Sequence, residues 1–257
     1  EEPCISGETG SGTVFFSGCV LRCVYCQNHN IAESRAGRII GWERLSEIFL
    51  ELQDKKANNI NLVTPTHFVP QIALALEQAR LGGLHIPVVY NTGSYERVET
   101  LKRMEGLVDI YLPDLKYMSS RLGERYSHAA DYFETASAAI AEMVRQTGGP
   151  DFDDKSGLMK KGVIVRHLVL PGCTADSKKV ISYLYHTYGD RIYISIMNQF
   201  TPVCELSFFP ELNRRITARE YEKIVDYALD IGVENGFIQE GNTAEESFIP
   251  EFDGEGL

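Results

Sequence analysis

Short apolar runs alternate along this chain with segments of helical spacing. The runs are Thr13–Phe16, Ile60–Val63, Ile86–Tyr90, Val108–Leu112, Val163–Leu170 and Arg191–Met197, with a candidate seventh at Gly236–Gln239. They are rich in Val, Ile, Tyr and Phe and show little two-residue alternation, as strands covered on both faces of a parallel sheet do. Between them, Trp42, Leu45, Ile48, Phe49 and Leu52 make an apolar helical stripe. Similar spacing groups Ile72 with Leu74, Leu76 and Ala79, and Val98 with Leu101 and Met104. A longer helix runs through Phe133, Ala136, Ile140, Met143 and Val144, followed by Val180–Tyr185 and Tyr221–Ala228.

Strand–helix alternation implies right-handed crossovers and a parallel sheet. Six or seven units fall short of the eight of a closed barrel. The expected fold is therefore α/β, an incomplete (β/α)6-type partial barrel of mostly parallel strands, with a doubly wound open sheet as the alternative. In either, ligands gather at the carboxyl ends of the strands. Gly148–Gly162 reads as the clear loop, a surface hairpin or a flap over a substrate. The chain thus divides into an N-terminal extension (1–12), a barrel domain (13–241) and an acidic C-terminal tail (242–257).

Composition narrows the classes. The chain has 257 residues, 44% of them hydrophobic, enough for one substantial core. The net charge of −11 repels phosphate backbones, so nucleic acid is not an expected partner. No apolar run is long enough to span a bilayer, so no membrane partner is expected either. The chain begins at Glu1 without a methionine, so the lack of a leader says little about location.

Six cysteines are present, and three of them fall within eight residues, in Cys19-Val20-Leu21-Arg22-Cys23-Val24-Tyr25-Cys26. Cys4, Cys173 and Cys204 are too scattered to suggest a disulfide framework. Clustered thiols without secretory features point to metal in a reducing compartment, the cytoplasm. Soft thiolates select iron–sulfur clusters, zinc or cuprous copper. A 4Fe–4S cube usually takes four cysteines, so three leave one iron open to a reacting ligand. His29, three positions after Cys26, keeps a Cys₃His zinc site as a rival, and three unmetallated buried thiols as another.

The C-x-x-x-C-x-x-C spacing, with Tyr25 as the aromatic before the last cysteine, resembles the signature of the radical S-adenosylmethionine superfamily. That resemblance implies a 4Fe–4S cluster on Cys19, Cys23 and Cys26 whose open iron binds the methionyl amino and carboxylate groups. An electron then cleaves the sulfonium to a 5′-deoxyadenosyl radical that abstracts hydrogen. Further segments resemble activating enzymes of the pyruvate formate-lyase type: Glu2–Ser6, Gly10–Cys19, Cys26-Gln27-Asn28, Asn61–His67, Asp114-Leu115-Lys116 and Arg166–Gly172. By the resemblance, Lys116 with Asp114 lies near the methionyl carboxylate, Arg166 near the ribose, and the Asn91-Thr92-Gly93 turn near ribose or a cation. Asn28 belongs to the matching segment, and Asn198 stands where relatives use a polar residue near adenine. The family's Gly-Gly-Glu after the second strand is missing; Thr64-Pro65-Thr66 stands there, offering either substitute contacts from Thr64 and Thr66 or only a turn.

The branch implies a glycyl-radical enzyme as protein substrate. The alternatives are a radical enzyme for a small molecule or another side chain, and a non-enzymatic zinc- or cluster-stabilised binding module. One visible cysteine cluster implies an external one-electron donor, flavodoxin or ferredoxin. The branch can also carry a cysteine-containing segment ahead of Glu1.

Overall fold

The computed structural model describes residues 2–34, 36–202 and 205–239. Cys204 and the acidic tail therefore lie outside the described residues. The elements run α1 (Pro3–Ser6), β1 (Gly12–Phe15), α2 (His29–Ala32), α3 (Trp42–Asp54), β2 (Ile60–Val63), α4 (Val69–Leu81), β3 (Val88–Thr92), α5 (Val98–Leu101) and β4 (Ile110–Pro113). They continue with α6 (Ser120–Ser127), α7 (Tyr132–Thr147), β5 (Asp151–Phe152), β6 (Met159–Leu168), α8 (Thr174–Tyr188), β7 (Tyr193–Met197), α9 (Ala218–Asp230) and β8 (Gly236–Ile238). Seven strands pair in parallel in the order β1-β2-β3-β4-β6-β7-β8, and β5 lies antiparallel on β6. This is the partial barrel that the alternation implied. No helix among the described residues is long and apolar enough to cross a membrane.

The strands lack a two-residue pattern because both faces are buried, in separate clusters. Ile60, Leu62, Val88, Tyr90, Tyr111, Val163, Val165, Ile194 and Ile196 pack outward into the helix layer with Ile72, Leu76, Ile140 and Leu184. Val89, Ile110, Leu112 and Ile164 face inward and pack with Cys4, Ile5 and Met159. Each fully buried Leu, Ile or Val side chain contributes roughly 1.5–3 kcal/mol, so apolar burial holds both faces of the sheet.

Helix α1, in the stretch set apart as an extension, fills the inner face. Cys4 and Ile5 are buried in it, and the Asn59 side-chain amide donates to the Ile5 carbonyl at 2.8 Å. Glu2, only 5% exposed, meets Arg166 of β6 in a two-pronged ion pair, Nε–Oε1 3.0 Å and Nη2–Oε2 2.9 Å.

The Gly148–Gly162 stretch is a hairpin. Its short strand β5 pairs with Lys161 and Met159, the amino end of β6, and Phe152 packs on the inner cluster. Since strands rise about 3.3 Å per residue, it sits some 15 Å or more from the carboxyl end of β6, so it is no flap over that rim.

Neighbours in a strand face opposite ways, and Arg166 and His167 divide accordingly. Arg166 points inward to Glu2, whereas buried His167 donates Nδ1–H to the Leu115 carbonyl at 2.8 Å. Its Nε2 has no hydrogen-bond partner, and burial drives the imidazole pKa from 6.5 down to about 4, against the pull of that carbonyl. The unfolded chain therefore binds a proton that the fold rejects between those values. Stability from this residue is present above pH 6.5 and is lost as pH falls toward 4. Urea unfolding is expected to show a loss of roughly 2 kcal/mol between pH 7 and 5, which His167→Gln abolishes.

Candidate functional site

Strand β1 hands the chain into the cysteine loop, and backbone bonds fix that loop on three sides. Gly18 N–H donates to Ile31 at 2.7 Å and Cys19 N–H to Ala32 at 3.1 Å, lashing its start to α2. Gly18 has φ +100°, a conformation that side chains rarely adopt, and the His67 ring lies 3.2 Å from where a Cβ would stand. Cys26 N–H closes a turn onto Cys23 at 3.0 Å, and Val24 N–H reaches the Tyr126 carbonyl of α6 at 2.9 Å. Buried Leu21 and Tyr25 anchor the loop from inside.

The half-buried thiols of Cys19, Cys23 and Cys26 line one cavity of about 340 Å³. Its other walls come from the carboxyl ends of β1 (Phe15, Phe16), β2 (Val63, Thr64), β3 (Asn91–Gly93), β4 (Asp114, Lys116), β6 (Arg166, Leu168) and β7 (Met197, Gln199). Six strand ends can surround one cavity only because the sheet curves. Tyr25 and Asn28 complete it.

His29 is exposed on α2 and does not line the cavity, so the Cys₃His zinc site is not assembled. Among the described residues, no group of three His, Cys, Asp or Glu side chains could hold a metal ion in common. Cysteines of a cubane bind separate irons, so the donor set here, three thiols around one cavity, fits that group. Burial raises the Cys23 thiol pKa, against the Lys116 charge and a hydrogen bond from Ser127, and pushes Cys26 up to about 11.

Lys116 Nζ is bonded to Asp114 Oδ2 at 2.5 Å. Burial alone would lower the ammonium's pKa; the Asp114 carboxylate and Cys23 override that and hold it well above the usual lysine value. The pair is thus a fixed cation–anion couple beside the thiols. Thr64 has φ +59°, a genuine outlier for a β-branched residue, and strain of this kind gathers at functional turns.

Two expectations are corrected. Asn198 does not line the cavity: its backbone N–H and side-chain amide are turned to Gln239, at 3.0 and 3.4 Å, and Gln199 and Phe200 form the wall instead. Thr66 turns away as well. Its hydroxyl donates to Glu96 at 2.6 Å.

Glu96 escaped sequence reading. Its Oε1 also accepts from Thr92 at 2.6 Å and Tyr90 at 3.3 Å, so one buried carboxylate ties the turn after β2 to the turn after β3. Desolvation raises its pKa, and the three hydroxyl donors work against that. Tyr132 was missed too. Its hydroxyl lies 3.0 and 2.9 Å from the Gly93 and Asp114 carbonyls and accepts Lys116 N–H at 3.1 Å, bridging the ends of β3 and β4. Neither residue carries a local signal, since each is defined by partners on other elements.

Comparison with known proteins identifies the fold and the family. An uncharacterized protein of Methanocaldococcus jannaschii is 30% identical over 233 residues, a match covering 85% of this chain and 62% of that protein. Streptococcus suis SuiB bound to precursor peptide SuiA superposes with a TM-score of 0.59 at 12% identity, over 89% of this chain and 48% of SuiB. The FeFe-hydrogenase maturase HydG from Carboxydothermus hydrogenoformans gives 0.59 at 13% identity, over 89% of this chain and 53% of HydG. At such identities these two share the fold. The chain accordingly spans less than two thirds of the curated relative and about half of either solved structure.

Residues 13–184 match the family described as the Radical SAM superfamily, whose members use a 4Fe–4S cluster and S-adenosylmethionine. That stretch begins in β1, carries the whole cysteine loop and four of the cavity's strand ends beyond it, and runs into α8. The chain belongs to the Radical SAM superfamily.

Proposed function

We propose that this protein cleaves S-adenosylmethionine reductively and uses the resulting 5′-deoxyadenosyl radical to take a hydrogen atom from a backbone glycine of a glycyl-radical enzyme. A 4Fe–4S cluster bound through Cys19, Cys23 and Cys26 would supply the electron and an open iron for the methionyl amino and carboxylate groups. The observation that carries the reading is the meeting of three thiols with the Asp114–Lys116 couple around one cavity at the carboxyl rim. Lys116 offers a cation to the methionyl carboxylate, and Asp114 fixes its direction. Tyr25 walls the thiols from the apolar core. The glycyl partner is supported by the sequence resemblance of Asp114-Leu115-Lys116 and Arg166–Gly172 to activating enzymes. Electrons come from an external flavodoxin or ferredoxin, since the other described cysteines, Cys4 and Cys173, do not line the cavity.

Anaerobic reconstitution tests the reading. About four irons per chain are expected, with 5′-deoxyadenosine released on reduction. Addition of a cognate glycyl-radical enzyme should then give a glycyl doublet by electron paramagnetic resonance. Full iron content without 5′-deoxyadenosine would sink the radical chemistry. Cleavage without a doublet for any partner would move the substrate to a small molecule or another side chain, traced by deuterium entering 5′-deoxyadenosine.

Lys116→Met is expected to raise KM for S-adenosylmethionine roughly 10- to 100-fold, the worth of a hydrogen bond to a charged group. Iron content should stay at the wild-type value. An unchanged KM in uncoupled cleavage would remove Lys116 from the contact.

A further inference from the structure

The cysteine loop carries a second feature that its spacing does not announce. Ser127 Oγ lies 2.9 Å from Cys23 Sγ, Tyr117 Oη lies 3.0 Å from Ser127 Oγ, and Tyr25 Oη lies 2.5 Å from Tyr117 Oη. Ser127, Tyr117 and Tyr25 are 0%, 1% and 7% exposed, so water does not compete for these bonds. A metal-bound thiolate can only accept. Ser127 must then donate to Cys23, which leaves its oxygen to accept from Tyr117, whose oxygen accepts in turn from Tyr25. Ser127 and Tyr117 each donate once and accept once, Tyr25 donates at the head of the chain, and the bonds run one way, toward the sulfur.

The fold holds Ser127 there by several devices. It is the last residue of α6, which His128 ends in the left-handed conformation. The preceding residue, Tyr126, receives the Val24 N–H, so consecutive residues of the helix end grip consecutive residues of the loop. Gly123 permits the tight return after the helix: a Cβ there would stand 2.4 Å from the Ala129 carbonyl oxygen.

We infer that Ser127, polarised by Tyr117 and Tyr25, is a positioning residue that sets the reduction potential of the cluster through the Cys23 sulfur. This rests on the reading above that Cys23 is a cluster ligand. A hydrogen bond to a ligating sulfur withdraws electron density and favours the more negative, reduced cluster, raising the potential. Successive hydroxyls strengthen one another in a dry interior.

Redox titration of the reconstituted protein, read by electron paramagnetic resonance, tests this. At a fixed poise, Ser127→Ala is expected to lower the reduced-to-oxidised ratio about tenfold, or about 59 mV for a one-electron couple. Tyr117→Phe should move it the same way by less, and Tyr25→Phe by least. That gradation is foreign to a merely structural role. An unchanged or more positive potential in Ser127→Ala at full iron content overturns the inference. If Ser127→Ala takes up no cluster, Tyr117→Phe decides: a negative shift supports it and an unchanged potential overturns it. Wild-type protein that binds no cluster overturns the functional reading and this one together. Wild-type protein that cleaves S-adenosylmethionine at the same potential as every variant overturns this one alone.

Discussion

Cys26→Ala is expected to reduce 5′-deoxyadenosine formation to background and to strip most of the iron from the reconstituted protein. Among the described residues only three thiols line the cavity and no spare thiol stands by: Cys4 is buried in the inner cluster beside α1 and Cys173 opens α8 away from the cavity. Burial pushes the Cys26 thiol up to about 11, so the empty site prefers the protonated form, and metal uptake must expel that proton. Cys26→Ser would keep the size and lose the soft donor, separating ligation from packing. Iron analysis and the visible absorption of the cluster read the loss of iron, and product quantification reads the loss of 5′-deoxyadenosine. Retention of about four irons per chain with undiminished cleavage in Cys26→Ala would remove this cysteine from the cluster.

Glu2→Gln is expected to cost roughly 3–5 kcal/mol of stability, because it leaves the Arg166 guanidinium buried without its counter-charge. Arg166 is 11% exposed and Glu2 4% by side chain, so solvent cannot replace the lost partner. Burial alone would raise the Glu2 pKa, but the Arg166 charge overrides it and holds the carboxyl at about 2, against an ordinary 4.5. A depressed carboxylate stabilises the fold above its unfolded value and ceases to do so as pH falls through its folded value. The wild-type protein should therefore lose roughly 3 kcal/mol between pH 4.5 and 2, a component absent from Glu2→Gln. The window lies below that of His167, so urea titrations at stepped pH resolve the two. The double variant Glu2→Leu with Arg166→Met, apolar on both sides, is expected to recover much of the loss. A Glu2→Gln protein as stable as wild type at pH 7 would show the pair to be dispensable.

Much of the fold was legible because periodicity is a local property. All seven parallel strands fall within a few residues of the apolar runs, and each stripe of the longer helices became a helix. Strand ends shifted where caps and partners decide: β3 begins at Val88, after Pro87, and continues through Asn91 and Thr92, polar residues that the apolar run excluded. Helix α1 was invisible, since four residues carry no period and its burial depends on β3, β4 and β6. The site divides in the same way. The thiols share one loop, and Asp114 and Lys116 share one strand end, so sequence spacing captured them. Arg166 faces inward as a strand period allows, yet its partner Glu2 lies 164 residues away. Asn198 failed because Gln239, from beyond the last helix, claims it. Ser127 and Glu96 have meaning only through contacts across elements.

The helix α1 and its ion pair make the barrel a vessel with a stopper at one end. Among the described residues, the cavity lies at the other end, beneath the rim ringed by the strand ends and the cysteine loop. If a large protein substrate seats itself on that rim, the small co-substrate has to be inside already, and its fragments leave only after the guest has lifted away. Binding order would follow from architecture, with no separate gate needed to enforce it.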